Sequence, residues 1–430
     1  MNDEILKKVH NANKNLIISG NISTGKTKNI GFPLMKKIIE SNESFFVLDS
    51  KEEYLNKYYK LVNEKGYNVI IINLRDSNKS EGWNILDYPY SLYKDGNIDE
   101  ALNCVEQIGK ELFYEGKNVD PYWGNSAASL FSGFVFYLFQ DARKEEINLS
   151  SVYELLNSVD GNSGFNYYKL LEYIENKGKN NIAYKCISSP IYAPKETRES
   201  INSVAKQKIS DFVKRESLNI LLSKTTFDIE DIINKKTAIF LIGKDEETSL
   251  NSIISVFINQ LYSLLINNKR ENRFNFILDN FDTLNNIYSL KDVMSSCIAR
   301  NIKFIISTRS KENIEEQYGN YINKLSNELE ITDKETSILN NNEETIFENN
   351  FEYNEFEKKE IHYPMLQKQE IATFNYKNIL KQNTTVNIEN IGEEGTKKSL
   401  DDWLVIIDKK IEEIESQIIN DNKKGNDKNE

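Results

Sequence analysis

Cysteine and histidine are scarce in this chain of 430 residues, which has three cysteines (Cys104, Cys186, Cys297) and two histidines (His10, His362). An odd, scattered cysteine set makes neither a disulfide framework nor a metal knuckle. Two lone histidines argue against a His-built zinc centre and against a Ser-His triad. No apolar run reaches the roughly 18–20 residues a membrane helix needs; the longest lies around Leu130–Phe139. The start has no basic segment followed by an apolar stretch, so no secretory signal is read there. Together these absences predict a soluble, intracellular protein.

What is present predicts a folded one. Hydrophobic residues make up 39% and charged residues 28%, which argues against wholesale disorder. The length predicts two or three domains. Charge is uneven along the chain. Overall there are 54 basic and 66 acidic residues, a net of −12. From Lys311 onward there are 15 Lys, no Arg and 27 Asp plus Glu, also −12, so residues 1–310 balance at 39 against 39. A neutral body with an acidic end suits local binding sites better than nucleic-acid binding over a whole surface.

Apolar strands punctuate the first part of the chain. Asn15–Ser19 runs directly into Gly20, and Phe45–Leu48 and Val69–Asn73 follow after helical stretches. Continuous apolar strands alternating with helices predict a parallel sheet covered on both faces. From about residue 98 to 215 the periodicity is helical. Strand signals return at Thr237–Ile242, Phe274–Leu278 and Phe304–Ser307, with an apolar helix at Ser252–Leu265 between them. The expected organisation is a P-loop α/β domain in two parts, 1–97 and 216–337, interrupted by an all-helical insertion, 98–215. An acidic C-terminal region, 338–430, is read as loop apart from a helix near 399–420. In that helix Leu400, Leu404, Ile407, Ile411, Ile414 and Ile418 form a short heptad seam, either packed on the body or docking a protein partner.

Gly20-x-x-x-x-Gly25-Lys26-Thr27 carries the clearest chemistry. Glycines let backbone N–H groups wrap phosphates, and the following helix offers its positive end. Lys26 reaches the β/γ-phosphates and Thr27 offers a hydroxyl to Mg²⁺, with Ser23 and Thr24 inside the loop. The cofactors expected are therefore ATP and Mg²⁺. The other half of such a site is a carboxylate at the end of a buried strand, supplied by Phe274–Leu278 followed by Asp279. The alternative for Asp279 is a plain strand cap.

Several blocks in order then resemble one family, the type IV secretion coupling proteins (TraG/TraD-like conjugative DNA-transfer ATPases). Besides the phosphate loop and Asp279 these are Asp49-Ser-Lys51-Glu52-Glu53, Trp83-Asn84, Asp120-Pro-Tyr-Trp123, Glu196-Thr-Arg198-Glu-Ser200, Phe227-Asp228-Ile-Glu-Asp231, Tyr318-Gly319 and Asp333-Lys-Glu-Thr336. The resemblance implies a RecA-like motor, hexameric, that recruits a relaxase or relaxase–DNA complex and passes DNA to a secretion channel. It implies a cytoplasmic protein, peripheral at the cytoplasmic face of the membrane if a membrane-anchored partner recruits it. It also implies that Arg300 completes a neighbouring subunit's site as an arginine finger, the plain alternative being a helix-end cation.

Three departures stand out. The family's membrane helices ahead of the phosphate loop have no counterpart in the short stretch before Asn15. Its catalytic Glu after the strand Asp is replaced by Asn280, whose amide holds a water but accepts no proton. Its γ-phosphate-sensing Gln is replaced by Arg309. Asp282, two residues past Asn280, is a candidate substitute base if the segment is extended, the plainer alternative being a surface turn acid. Two functions stay open: a hydrolysing motor, or an ATP-binding, weakly hydrolysing receptor of the same machinery. An FtsK/HerA-like motor is the weaker third.

Overall fold

The computed structural model describes residues 3–21, 24–113, 119–159, 167–284, 287, 290–331, 335–340, 343–348 and 361–375. The helix expected near 399–420 and its heptad seam lie outside these residues. By packing, the chain divides into a main unit, Met1–Asn157 with Leu171–Phe374, and a second, Ser158–Leu170 with Asn375–Glu430.

The frame of the main unit is one sheet built from β1 (Asn15–Gly20), β2 (Ser44–Leu48), β3 (Asn68–Asn73), β4 (Thr237–Ile242), β5 (Phe274–Leu278), β6 (Ile302–Thr308), β7 (Ser326–Ile331), β8 (Glu335–Asn340) and β9 (Glu343–Glu348). The strand order is β3-β4-β2-β5-β6-β1-β7-β8-β9. Neighbours from β3 through β7 are parallel, and β8 and β9 add an antiparallel edge. The central strands are apolar on both faces because helices cover both sides; β2, β4, β5 and β6 are buried at every position. Phe276 of β5 stacks on Phe304 of β6 with centroids 4.6 Å apart.

The expected α/β architecture with a helical insertion is therefore what the chain adopts. Between β3 and β4 the described residues are helical or loop, including the long helices Ile98–Phe113, Pro121–Asp141 and Lys195–Val213. Several of the family-like blocks act here as caps and ties. Asp120 accepts from the Tyr122 amide at 3.0 Å, starting the 121–141 helix, and Asp228 does the same for Glu230 at 2.9 Å, each supplying an N-cap acceptor. Asn84 donates to Ile147 O at 2.6 Å and Trp83 packs edge-on against Phe257 at 4.5 Å.

Two expectations change. Residues after 337, read as loop, contribute half of β8 and all of β9, while residues 361–374, which belong to the main unit, have neither helix nor strand. One helix, Thr248–Ile266, is long and apolar enough to cross a membrane, yet 78% of its apolar window is buried inside the fold. It packs as a core helix covering the sheet.

Candidate nucleotide site

The carboxyl ends of β1, β5 and β6 meet at one edge of the sheet, the region where parallel α/β sheets bind ligands. β1 ends at Gly20, where an added Cβ would stand 2.6 Å from Ile331 O and 2.9 Å from Thr24 Oγ1. Gly25 takes φ +78°, and a Cβ there would also collide with Asn29 Nδ2. Both glycines are thus required by the close turn. The helix that follows opens with a π-helical turn, Thr27–Gly31, a distortion frequent at functional sites. Gly31 leaves room for the Tyr54 hydroxyl.

Lys26 Nζ folds over its own loop, donating to Gly20 O at 2.5 Å and Asn21 O at 3.0 Å. Burial pushes its pKa down, Asp279 and Asp282 oppose that, and Arg309 adds to it. All three charged neighbours therefore lie within electrostatic reach of the ammonium. Thr27 Oγ1 donates to Asp279 Oδ2 at 2.8 Å. Two segments 252 residues apart thus place a hydroxyl and a buried carboxylate in contact, the hard oxygen donors Mg²⁺ takes. Among the described residues no group of three or more His, Cys, Asp or Glu is placed to hold a metal. Gly20, Thr24, Gly25, Lys26, Thr27 and Asp279 lie together at this end of the sheet; Ser23 lies outside the described residues.

The β5–β6 side is different. Asn280 sits at φ 50° in the left-handed region, which Asn tolerates better than other non-glycine residues. The chain then turns through Phe281–Thr283 in a 3₁₀ turn. The segment is not extended, so the premise that Asp282 faces the same way as Asn280 does not hold. Asp282 instead accepts from Thr308 Oγ1 at 2.6 Å, the Arg309 amide at 2.6 Å and Asn313 Nδ2 at 3.0 Å. It fastens the loop after β5 to the loop after β6. Arg309 follows Thr308, which pairs with Ser19 of β1, so it stands beside the phosphate loop. Arg300 precedes β6 at the opposite end of the sheet, its Nη1 3.4 Å from Ser296 O. A seven-residue strand spans roughly 20 Å, so Arg300 is out of reach of its own phosphate loop.

Asp49, at the carboxyl end of β2, was not singled out by sequence as a site residue. β2 pairs with β5 through Leu48 and Leu278, which sets Asp49 beside Asp279. Its carboxylate accepts from the Glu53 amide at 2.9 Å and the Leu55 amide at 2.8 Å. Burial above all, with Asp279 adding, pushes its pKa up to about 7. An acid directly after a buried apolar strand, the same pattern as Asp279, was the available signal.

A P-loop nucleotide-binding protein with a helical insertion in its parallel sheet is the class this defines. The chain belongs to the family described as Type IV secretory system Conjugative DNA transfer, whose model matches residues 12–351. Among solved structures it resembles the unbound bacterial conjugative coupling protein TrwBdeltaN70, with a TM-score of 0.60 and 12% identity, over 83% of this chain and 89% of that one. It also resembles plasmid coupling protein TrwB in complex with ADP and Mg²⁺ (TM-score 0.60, 12% identity, 82% and 89% coverage). A third likeness is to TrwB in complex with a non-hydrolysable ATP analogue, ADPNP (TM-score 0.54, 13% identity, 78% of each chain). At such identities these likenesses speak to the fold. No curated protein matches significantly in sequence.

Proposed function

We propose that the chain binds Mg²⁺–ATP between Gly20–Thr27 and Asp279 and acts as a coupling-protein-like P-loop ATPase of conjugative DNA transfer. The observation that carries this is the Thr27–Asp279 hydrogen bond, which joins the phosphate loop to the end of β5 where a magnesium would be held. Thr27 and Asp279 would take the ion; Lys26 would meet the β/γ-phosphates. Arg309 would add a second cation near the terminal phosphate, and Asp282 would position it through the Arg309 amide. The family's role favours a relaxase or relaxase–DNA complex as cargo, a hexameric assembly, and recruitment to the cytoplasmic face of the membrane. In such an assembly Arg300 would serve a neighbour's site, since it lies far from its own.

A second reading, ATP binding with weak hydrolysis in a substrate receptor, is favoured by Asn280 and by the full engagement of Asp282. No carboxylate then stands free to take a proton from water in the position Asn280 occupies. Fluorescent-nucleotide titration of wild type and Lys26→Ala, together with ATPase rates with and without single-stranded DNA, tests both. Equal affinity in the two proteins would remove the nucleotide assignment. DNA-stimulated turnover would decide for the motor, and binding with little turnover for the receptor.

A further inference from the structure

Residues 361–374, with neither helix nor strand of their own, run from the sheet to the helical insertion and are anchored along the way. At the amino end Ile361 and Tyr363 pack on the sheet's core. There Tyr59 Oη donates to His362 O at 2.9 Å and Tyr363 Oη to Glu52 Oε2 at 3.1 Å. Midway, the Leu366 amide donates to Asn78 O at 3.1 Å, and Lys368 pairs with Glu216 at 3.3 Å. At the far end Asn148 Nδ2 donates to Ala372 O at 2.8 Å and the Phe374 amide to Ser151 Oγ at 2.9 Å. The Phe374 ring is buried edge-on against Tyr137 of the 121–141 helix, 5.6 Å between centroids.

The amino-end anchor touches a loop of consequence. Glu52 holds φ +57°, a left-handed conformation that costs a side-chain-bearing residue about 1–2 kcal/mol and persists only where neighbours enforce it. Its amide donates to Asp49 O at 3.3 Å, and Asp49 flanks Asp279. Burial, Glu52 and Asp49 push the Tyr363 hydroxyl upward, so it stays protonated and remains a donor to the Glu52 carboxylate.

We propose that Tyr363 is a positioning residue for the nucleotide site, holding the Asp49–Glu53 loop against Asp279, and that the run carrying it ties the occupancy of that site to the helical insertion. This rests on the reading of Gly20–Thr27 and Asp279 as the Mg²⁺–ATP site. With anchors at both ends and between them, the run has little slack. A shift of the Glu52 loop on filling the site is passed toward Phe374, where it bears on the 121–141 and 149–158 helices.

The test uses the full chain, with Mg²⁺–ATP affinity from a fluorescent analogue and hydrogen exchange of residues 121–158 with and without ATP. Tyr363→Phe removes one oxygen and keeps the ring, so it preserves packing. It should weaken ATP binding roughly 3- to 10-fold, the size of one ordinary net hydrogen bond. Phe374→Ala should leave affinity at the wild-type value while abolishing the ATP-dependent change in exchange that wild type shows. Wild-type affinity in Tyr363→Phe, or an ATP response in Phe374→Ala equal to wild type, would overturn the proposal. ATP binding to wild type with no exchange response would remove this proposal alone. No ATP binding at all would remove the site assignment and this proposal with it.

Discussion

On the β1 side of the site, Gly20, Gly25, Lys26 and Thr27 each meet the demand that phosphate binding makes of them, and Thr27 already contacts Asp279. On the β5–β6 side, the positions expected to move a proton and sense the terminal phosphate hold Asn280 and Arg309, and the nearby Asp282 is spent on three donors. Both sides share one sheet edge and one electrostatic neighbourhood. On the proposed reading, the difference sets what binding needs apart from what turnover needs. Binding needs a backbone cradle, a cation and a metal carboxylate; turnover needs in addition a base at one position.

Asn280→Glu should sharpen that division most. General-base assistance is worth roughly 10²–10⁴-fold, so steady-state turnover should rise within that range while ATP affinity stays put. The left-handed backbone at 280 should make the variant about 1 kcal/mol less stable, readable by urea denaturation. No rise in rate would mean that the base is not what separates the two sides.

Lys26→Ala acts on the other side and should lower Mg²⁺–ATP affinity about 100-fold or more, the loss of charge-assisted contacts to phosphate. Titration calorimetry reads it directly. Unchanged affinity would break the comparison, because no intact binding side would be left.

Asp282→Ala separates clip from base. Loss of a carboxylate with three donors should cost roughly 2–3 kcal/mol of unfolding free energy, with any loss of turnover accompanied by weaker ATP binding. A folded, fully stable variant that binds ATP normally and has lost turnover would make Asp282 the base after all.

An effect of similar size concerns pH. With its pKa pushed up to about 7, Asp49 is protonated in the folded chain over a range where the unfolded chain has released the proton. Folding then binds a proton, so this group's contribution makes the fold less stable as pH rises from about 4 to 7 and changes little above that. Between pH 5 and 7.5 wild type should lose roughly 2–3 kcal/mol relative to Asp49→Asn. Parallel denaturation curves across that range would show that Asp49 is not raised.

Much of this was legible in the sequence where signals are local. Continuous apolar runs mark β1 to β6, and the phosphate loop announces itself by spacing. β7 was missed because Ser326–Ile331 alternates and carries only Leu329 and Ile331 as apolar residues; its partner β1, not its own composition, makes it a strand. β8 and β9 are short and polar and exist by antiparallel pairing outward from β7, and the 361–374 run is held by distant partners. The direction of Asp282 was not legible for a related reason: backbone dihedrals at Asn280 and the turn after it, which no periodicity reports, decide where its carboxylate goes. The site's strand-end partners, Asp49 and Asp279, became neighbours only once the strand order was known.

The separation of binding from turnover is tested most directly by measuring wild-type Mg²⁺–ATP affinity and steady-state ATPase rate on one preparation. The account predicts clear ATP binding with turnover well below the roughly 1–100 s⁻¹ common in phosphoryl-transfer enzymes such as kinases. Turnover within that range, from a protein carrying Asn280 and a fully engaged Asp282, would contradict it.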